Sequence, residues 1–195
     1  QNQLVRALAI SVAGQHHIVV SGHSESGKTL AAKRLPNILP SLSKKELLEN
    51  LSIRSSLNID EELDFSPPFI NPSHLSGKID FYGNALKMQP GAISLAHNGI
   101  LFLDEFPLYR KDLIELLRLA MEDKSIKLTF SDKFSEFPSN FLLVATMNPC
   151  PCGNLASKDM SCTCTVSEIS RYKNLISNPL KNRFHINISI ERVLY

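Results

Sequence analysis

No stretch of this chain is apolar for long enough to span a bilayer, and its first residues lack the pattern of a secretory leader. The reading is a cytoplasmic chain with no membrane partner. A surplus of one charge is also lacking: Lys and Arg number 21 against 19 Asp and Glu, mixed along the chain for a net charge of +2. That balance leaves no electrostatic footprint of the kind a nucleic-acid-binding face carries. There is no internal repeat and no low-complexity segment. Cysteine is missing everywhere except one short segment, which holds Cys150, Cys152, Cys162 and Cys164. A secreted disulfide scaffold would spread its cysteines to close large loops, so that class is excluded. Clustering leaves a metal site or free thiols in a reducing compartment.

What is present fits a folded α/β domain of ordinary size. The 195 residues are 43% hydrophobic and 21% charged, as in globular proteins. Residues 1–195 read as one domain that includes a cysteine-rich loop over 150–164. The chain begins at Gln1 rather than Met and ends at Tyr195, just past an apolar run, which suggests a core excised from a longer protein.

Apolar patterning then divides the chain. Leu4 to Ala13 predicts a helix stopping at Gly14. His17 to Ser21 predicts a short buried strand, followed by a glycine-bearing loop and a helix over TLAAKRL that Pro36 ends. Ser43 and Glu46 match a capping box, with Leu47, Leu48 and Leu51 as the apolar side of the helix they start. Asn58 to Pro90 is irregular and reads as a long insertion. Ile100 to Leu103 is an uninterrupted apolar strand, as in a parallel sheet covered on both faces. Lys111 to Asp123 predicts an amphipathic helix with Leu113, Leu116, Leu117 and Ala120 on one side. Ile126 to Phe137 predicts a β-hairpin turning at Asp132 and Lys133. Phe141 to Thr146 and Arg183 to Ile190 complete the strands. Alternating strands and helices predict a parallel sheet with crossover connections.

Two motifs carry chemistry. Gly22, His23, Ser24, Glu25, Ser26, Gly27, Lys28 and Thr29 fit G-x-x-x-x-G-K-[ST], the Walker A pattern for ATP phosphates. Glycine lets successive N–H groups turn inward as an anion nest, and the following helix adds its positive end. Lys28 is expected at the β- and γ-phosphates and the Thr29 hydroxyl on Mg²⁺. The strand before the motif and the helix after it separate this from a chance match. The Glu25 charge opposes phosphate and bears on affinity. Ile100 to Leu103 ends in Asp104 and Glu105, a Walker B arrangement: Asp104 would hold Mg²⁺ and Glu105 would polarise the attacking water. Asn148 follows the strand FLLVAT and is either a turn residue before Pro149 or a contact to water and γ-phosphate. Arg183 is either a solvated surface arginine or a finger projecting into a neighbouring subunit's site.

The segments PGAISLAHNGILFLDEFP, VATMNPCPCG and NPLKNRFHINI, with Cys162-Thr163-Cys164 and Arg171-Tyr172 in the same order, resemble the Mg-chelatase-like AAA+ proteins of the ComM (YifB) type. The resemblance runs from about Leu4 to Ile190. It implies an AAA+ P-loop NTPase core, a parallel sheet flanked by helices, with a helix-2 insert and a pre-sensor 1 hairpin and without the C-terminal lid. Carried over by position, Lys28 and Thr29 are Walker A, Asp104 and Glu105 Walker B, Asn148 sensor 1 and Arg183 the arginine finger. Residues 126–137 are then the hairpin facing the pore of a hexameric ring, with Lys127 and Lys133 as DNA-phosphate contacts. Where the family has Arg-Pro-Phe-Arg-x-Pro-His-His, residues 67–74 here read PPFINPSH, and Ala92 replaces a glutamate.

The resemblance implies a homo-oligomeric ATPase that moves on DNA in branch migration during recombination or natural transformation. The alternative is a magnesium-chelatase-type motor that remodels a protein partner, because the nucleotide chemistry does not set the task. A nucleotide-binding scaffold is opposed by Glu105 and Arg183. The pairs Cys150/Cys152 and Cys162/Cys164 suit a closed tetrahedral Zn²⁺ site, although C-x-C is tighter than the usual C-x₂-C; free or oxidised thiols are the other reading.

Overall fold

The computed structural model describes residues 2–23, 26–57, 63–155 and 160–190. In chain order, helix α1 (Asn2–Gly14) leads into strand β1 (Ile18–Gly22), α2 (Lys28–Ala32) and α3 (Lys44–Ser55). Strand β2 (Phe69–Ile70), α4 (Lys78–Phe81), β3 (Gly83–Asn84), β4 (Gln89–Pro90) and α5 (Ala92–Leu95) are all short. Next come β5 (Ile100–Leu103), α6 (Lys111–Asp123), β6 (Ser125–Phe130), β7 (Lys133–Pro138) and β8 (Leu142–Met147). The last described elements are α7 (Val166–Lys173), α8 (Asn178–Lys181) and β9 (Ile186–Ile190).

Among the described residues, five strands form one sheet in the order β2-β5-β8-β1-β9, every neighbouring pair parallel. Successive side chains of a strand point to opposite faces, and the sheet divides its residues accordingly. Ile18, Val20, Ile100, Phe102, Leu142 and Val144 pack with Leu4, Leu8 and Val12 of α1. Val19, Leu101, Leu103, Leu143 and Ala145 pack on the other side with Leu113, Leu117 and Ala120 of α6. Helices on both faces are why these strands read as unbroken apolar runs. No helix among the described residues is long and apolar enough to cross a membrane.

Several sequence expectations hold in detail. Helix α6 has the predicted bounds, and the hairpin β6–β7 pairs antiparallel from Ser125↔Pro138 to Phe130↔Lys133. Its turn is one position earlier, at Ser131 and Asp132. The Ser43 hydroxyl accepts from Glu46 N at 3.3 Å while Glu46 Oε2 accepts from Ser43 N at 2.8 Å, completing the capping box.

Others are corrected. Helix α2 stops at Ala32, and Pro36 lies in a separate 3₁₀ turn over Leu35–Ile38, in a first-turn position where a missing N–H costs nothing. Helix α3 buries Leu47, Asn50 and Ile53, whereas Leu48 is 67% exposed; the covering surface selects the face that polar Asn50 shares. The last strand begins at Ile186 rather than at Arg183. Within the expected irregular insertion, Phe69–Ile70 joins the main sheet as an edge strand, in register with Ile100 and Leu101. Residues 58–62 of that insertion lie outside the described residues.

Candidate functional site

Strand order builds the site. Strands β5, β8 and β1 are adjacent and parallel, so the segments that follow them emerge together at the carboxyl edge, where open α/β sheets bind ligands. The loop after β1 carries the glycine-rich motif, β5 ends at Asp104 and Glu105, and β8 leads to Asn148.

Lys28, 6% exposed, donates from Nζ to the carbonyls of Gly22 and His23, each at 2.6 Å, and reaches Asn148 Oδ1 at 3.5 Å. Burial lowers its pKa from the ordinary lysine value, and the charges of Asp104 and Glu105 oppose that shift. The Thr29 hydroxyl donates to both oxygens of Asp104, at 3.2 and 3.1 Å. A hydroxyl and a carboxylate meeting at one point form a hard oxygen set that suits Mg²⁺. Gly27 at φ 81° needs the left-handed freedom of glycine, and a Cβ there would meet nothing within 4 Å, leaving the inside of the loop clear. At Gly22 a Cβ would come 2.6 Å from the Ile190 carbonyl, so β9 also requires glycine at that position. Ser26 closes the loop, donating from Oγ to His23 O at 2.6 Å. Ser24 and Glu25 lie outside the described residues.

Glu105 sits at φ 52°, left-handed for a residue with a Cβ, where the strand breaks into a 3₁₀ turn. Such strain collects at functional sites. Its N–H donates to Thr146 Oγ1 at 3.2 Å, and the Thr146 hydroxyl donates in turn to Asp104 Oδ1. Thr146, 1% exposed, thus holds both acids. Sequence reasoning passed over it as one residue of FLLVAT. Its one signal was a hydroxyl inside an apolar strand end, beside Leu103↔Ala145 in the register.

Asn148 lies at the site, with its side chain toward Lys28. Burial pushes the neighbouring Tyr172 phenol up to about 12, against a hydrogen bond with the Asn148 backbone. Arg183 is not among these groups: it donates from Nη2 to Glu122 Oε1 at 2.8 Å, in the last turn of α6.

The four cysteines, none in a disulfide, converge so that all their sulfurs lie within 4.8 Å of one another. Cys150 Sγ stands 3.4 Å from Cys152 Sγ and 3.7 Å from Cys162 Sγ, and Cys152 Sγ is 3.6 Å from Cys162 Sγ. Tetrahedral zinc thiolates need edges of about 3.8 Å, from a Zn–S bond of about 2.3 Å. Backbone amides also point at sulfur: Cys152 N donates to Cys164 Sγ at 3.4 Å and Leu155 N to Cys150 Sγ at 3.3 Å. Amide donors from Asn154 and Thr163 bring Cys152 down to about 5. Residues 156–159 of the loop lie outside the described residues.

The fold is that of an AAA+ type P-loop NTPase core. NtrX from Brucella abortus, solved with ATP, superimposes with a TM-score of 0.60 at 16% identity, over 97% of this chain and 36% of that one; its ADP complex gives 0.61, over 97% and 35%. At such identity the likeness is one of fold. The sequence matches the family described as magnesium chelatase, subunit ChlI, over residues 1–195. It is 38% identical to Rv2897c of Mycobacterium tuberculosis, over 99% of this chain and 39% of that protein. It is 36% identical to YifB of Escherichia coli, over 97% and 38%, and 35% identical to competence protein ComM of Haemophilus influenzae, over 97% and 37%. The chain belongs to the Mg-chelatase-like family that includes YifB and ComM. It spans less than two fifths of the length of these relatives.

Proposed function

We propose that this chain is the ATPase core of a ring-forming motor, and that the whole protein works on DNA as a translocase or branch-migration helicase. The observation that carries the ATPase reading is the meeting of Lys28, Thr29, Asp104 and Asn148 at one sheet edge. Lys28 would hold the β- and γ-phosphates, exchanging its two carbonyl partners for them. Thr29 and Asp104 would hold Mg²⁺, which when bound neutralises charge on the phosphates. Thr146 keeps the Asp104 carboxylate turned toward Thr29. Glu105 accepts the proton of the attacking water, and Asn148 orients that water against the γ-phosphate. Gly22, His23, Ser24, Glu25, Ser26 and Gly27 supply the phosphate loop.

Arg183 completes the site of the next subunit in a hexameric homo-oligomer. Its exposed ion pair with Glu122 is of a kind worth little, so a neighbour's phosphates can take the guanidinium over. The hairpin supports the DNA reading. Ile126, Leu128 and Phe137 root it in the core, while Lys133, Phe130 and Phe134 are exposed near its turn. Lys127 lies opposite Glu136, which leaves Lys133 the better phosphate contact. Relatedness to a competence protein points the same way.

The four cysteines are proposed to hold one structural Zn²⁺, the sulfur spacing being the support. Free thiols also suit the reducing cytoplasm in which we place the protein. A second reading, a chelatase-type motor that remodels a protein partner, is favoured by the matched family description.

The deciding experiment is ATP hydrolysis by the full-length protein, at low salt, with and without single-stranded and branched DNA. Strong stimulation is expected. Robust turnover indifferent to DNA transfers the assignment to the chelatase-type reading, and absence of turnover removes the ATPase.

A further inference from the structure

The cysteine cluster and the phosphate loop touch. His23, inside the glycine-rich motif, donates from Nε2 to Asn154 Oδ1 at 3.1 Å. Asn154 lies two positions beyond Cys152, in the loop between the two cysteine pairs. On the other flank, Asn148 lies two positions before Cys150 and reaches Lys28 Nζ at 3.5 Å. One short run of chain therefore makes two contacts to the phosphate loop, with two sulfur donors between them.

Among the described residues, the run is held mainly by sulfur and by hydrogen bonds rather than by apolar packing. Cys150 and Gly153 are buried, Pro151 is exposed and Cys152, Asn154 and Leu155 are half-buried; none of these described residues belongs to either apolar core cluster. Gly153 at φ 81° turns the chain, and its N–H donates to Cys150 O at 3.0 Å. Asn154 thus follows directly on the turn that carries the Cys150 and Cys152 sulfurs. Four thiols brought this close need a cation to compensate their charge once ionised.

We propose that the cysteine site acts on the nucleotide site: a thiophilic divalent cation, taken as Zn²⁺, fixes the 150–154 turn so that Asn154 holds His23 and with it the phosphate loop. Asn154 is a positioning residue, acting on phosphate only through His23. This inference rests on the zinc reading of the cysteines given above. It makes nucleotide affinity depend on a metal that never touches the nucleotide.

The test uses the full-length protein, with zinc per chain measured by elemental analysis and affinity measured with a fluorescent ADP analogue. Wild type, Asn154→Ala and Asn154→Asp are each compared before and after a zinc-selective chelator, with circular dichroism to verify folding. The expectation is metal-loaded Asn154→Ala binding ADP about fivefold more weakly, the loss of roughly one hydrogen bond. Asn154→Asp, which keeps an acceptor, should recover most of the affinity. Stripped wild type should fall to the level of Asn154→Ala, and stripping that variant should add little. Unchanged affinity in zinc-loaded Asn154→Ala or in stripped wild type overturns the coupling while leaving the zinc site standing. Independent, multiplying losses overturn it too. A zinc content near zero in wild type purified without chelator removes the zinc reading and the coupling together.

Discussion

Arg183 donates to Glu122 at 2.8 Å, joining the turn before the last strand to the end of α6. Glu122 also accepts from Arg118 Nη1 at 2.7 Å, and it is held below the ordinary carboxylate range by Arg118 first and Arg183 second. With 42% of its side chain exposed, Arg183 is satisfied within its own chain yet free to leave, because Glu122 keeps Arg118.

Arg183→Ala should therefore bind ATP with unchanged affinity and lose about 10³-fold in hydrolysis. Mixing it with subunits carrying Glu105→Gln should restore turnover, since each supplies what the other lacks. Failure of that rescue, measured by steady-state hydrolysis across mixing ratios, would mean Arg183 does not act between subunits.

Glu105→Gln keeps shape and loses the base. Its expected loss in turnover is about 10²–10⁴-fold, with nucleotide binding retained. Equilibrium binding beside single-turnover hydrolysis checks both halves, and turnover equal to wild type would remove Glu105 from the role.

Thr146→Val keeps volume but strands the Glu105 N–H and leaves Asp104 Oδ1 only the Thr29 hydroxyl at 3.2 Å. Folding stability should fall by about 1 kcal/mol, and the Mg²⁺ concentration for half-maximal hydrolysis should rise with a lowered kcat. Thr146→Ser should restore both. A normal Mg²⁺ dependence in the valine variant would reduce Thr146 to a packing residue.

Lys133→Ala should weaken DNA stimulation of hydrolysis and flatten its salt dependence by about one counterion. Lys127→Ala, opposite Glu136 in the hairpin register, should do less. Equal effects would show that hairpin register does not decide the contact.

His17 is brought to about 4 by burial and by the nearby charges of His185, Arg183, Lys124 and His16. Its Nδ1 accepts from Leu143 N at 3.0 Å, so the folded state favours the neutral ring. An unfolded histidine titrates near 6.5, so between that pH and about 4 the unfolded state binds the extra proton. The stability from neutral His17 is complete above pH 6.5 and lost as pH falls toward 4, amounting to about 3 kcal/mol. Urea unfolding across that window should show a slope that shrinks by one proton in His17→Gln. An unchanged slope assigns the acid sensitivity elsewhere.

Most of the local elements were legible. The bounds of α6 follow from a clean amphipathic period, and the hairpin follows from two alternating runs around a polar turn. The edge strand Phe69–Ile70 was not: two residues among prolines carry no period, and only pairing with Ile100 and Leu101 makes them a strand. The exposed face of α3 misled for a related reason, since three leucines suggest a side but the covering surface selects it. Thr146 and Asn154 were invisible as site residues because each acts through a partner far along the chain.

By itself the sequence determined the phosphate loop, the acidic pair, the apolar strands and the crowding of four cysteines, all set by neighbouring residues and side-chain period. Only the tertiary structure decided that Asp104 meets Thr29, that Thr146 serves both acids, that Arg183 rests on Glu122 and that the cysteine loop leans on His23. The reason is that strand order and helix placement arise from burying both faces of one sheet, which couples distant segments and leaves no mark in local periodicity.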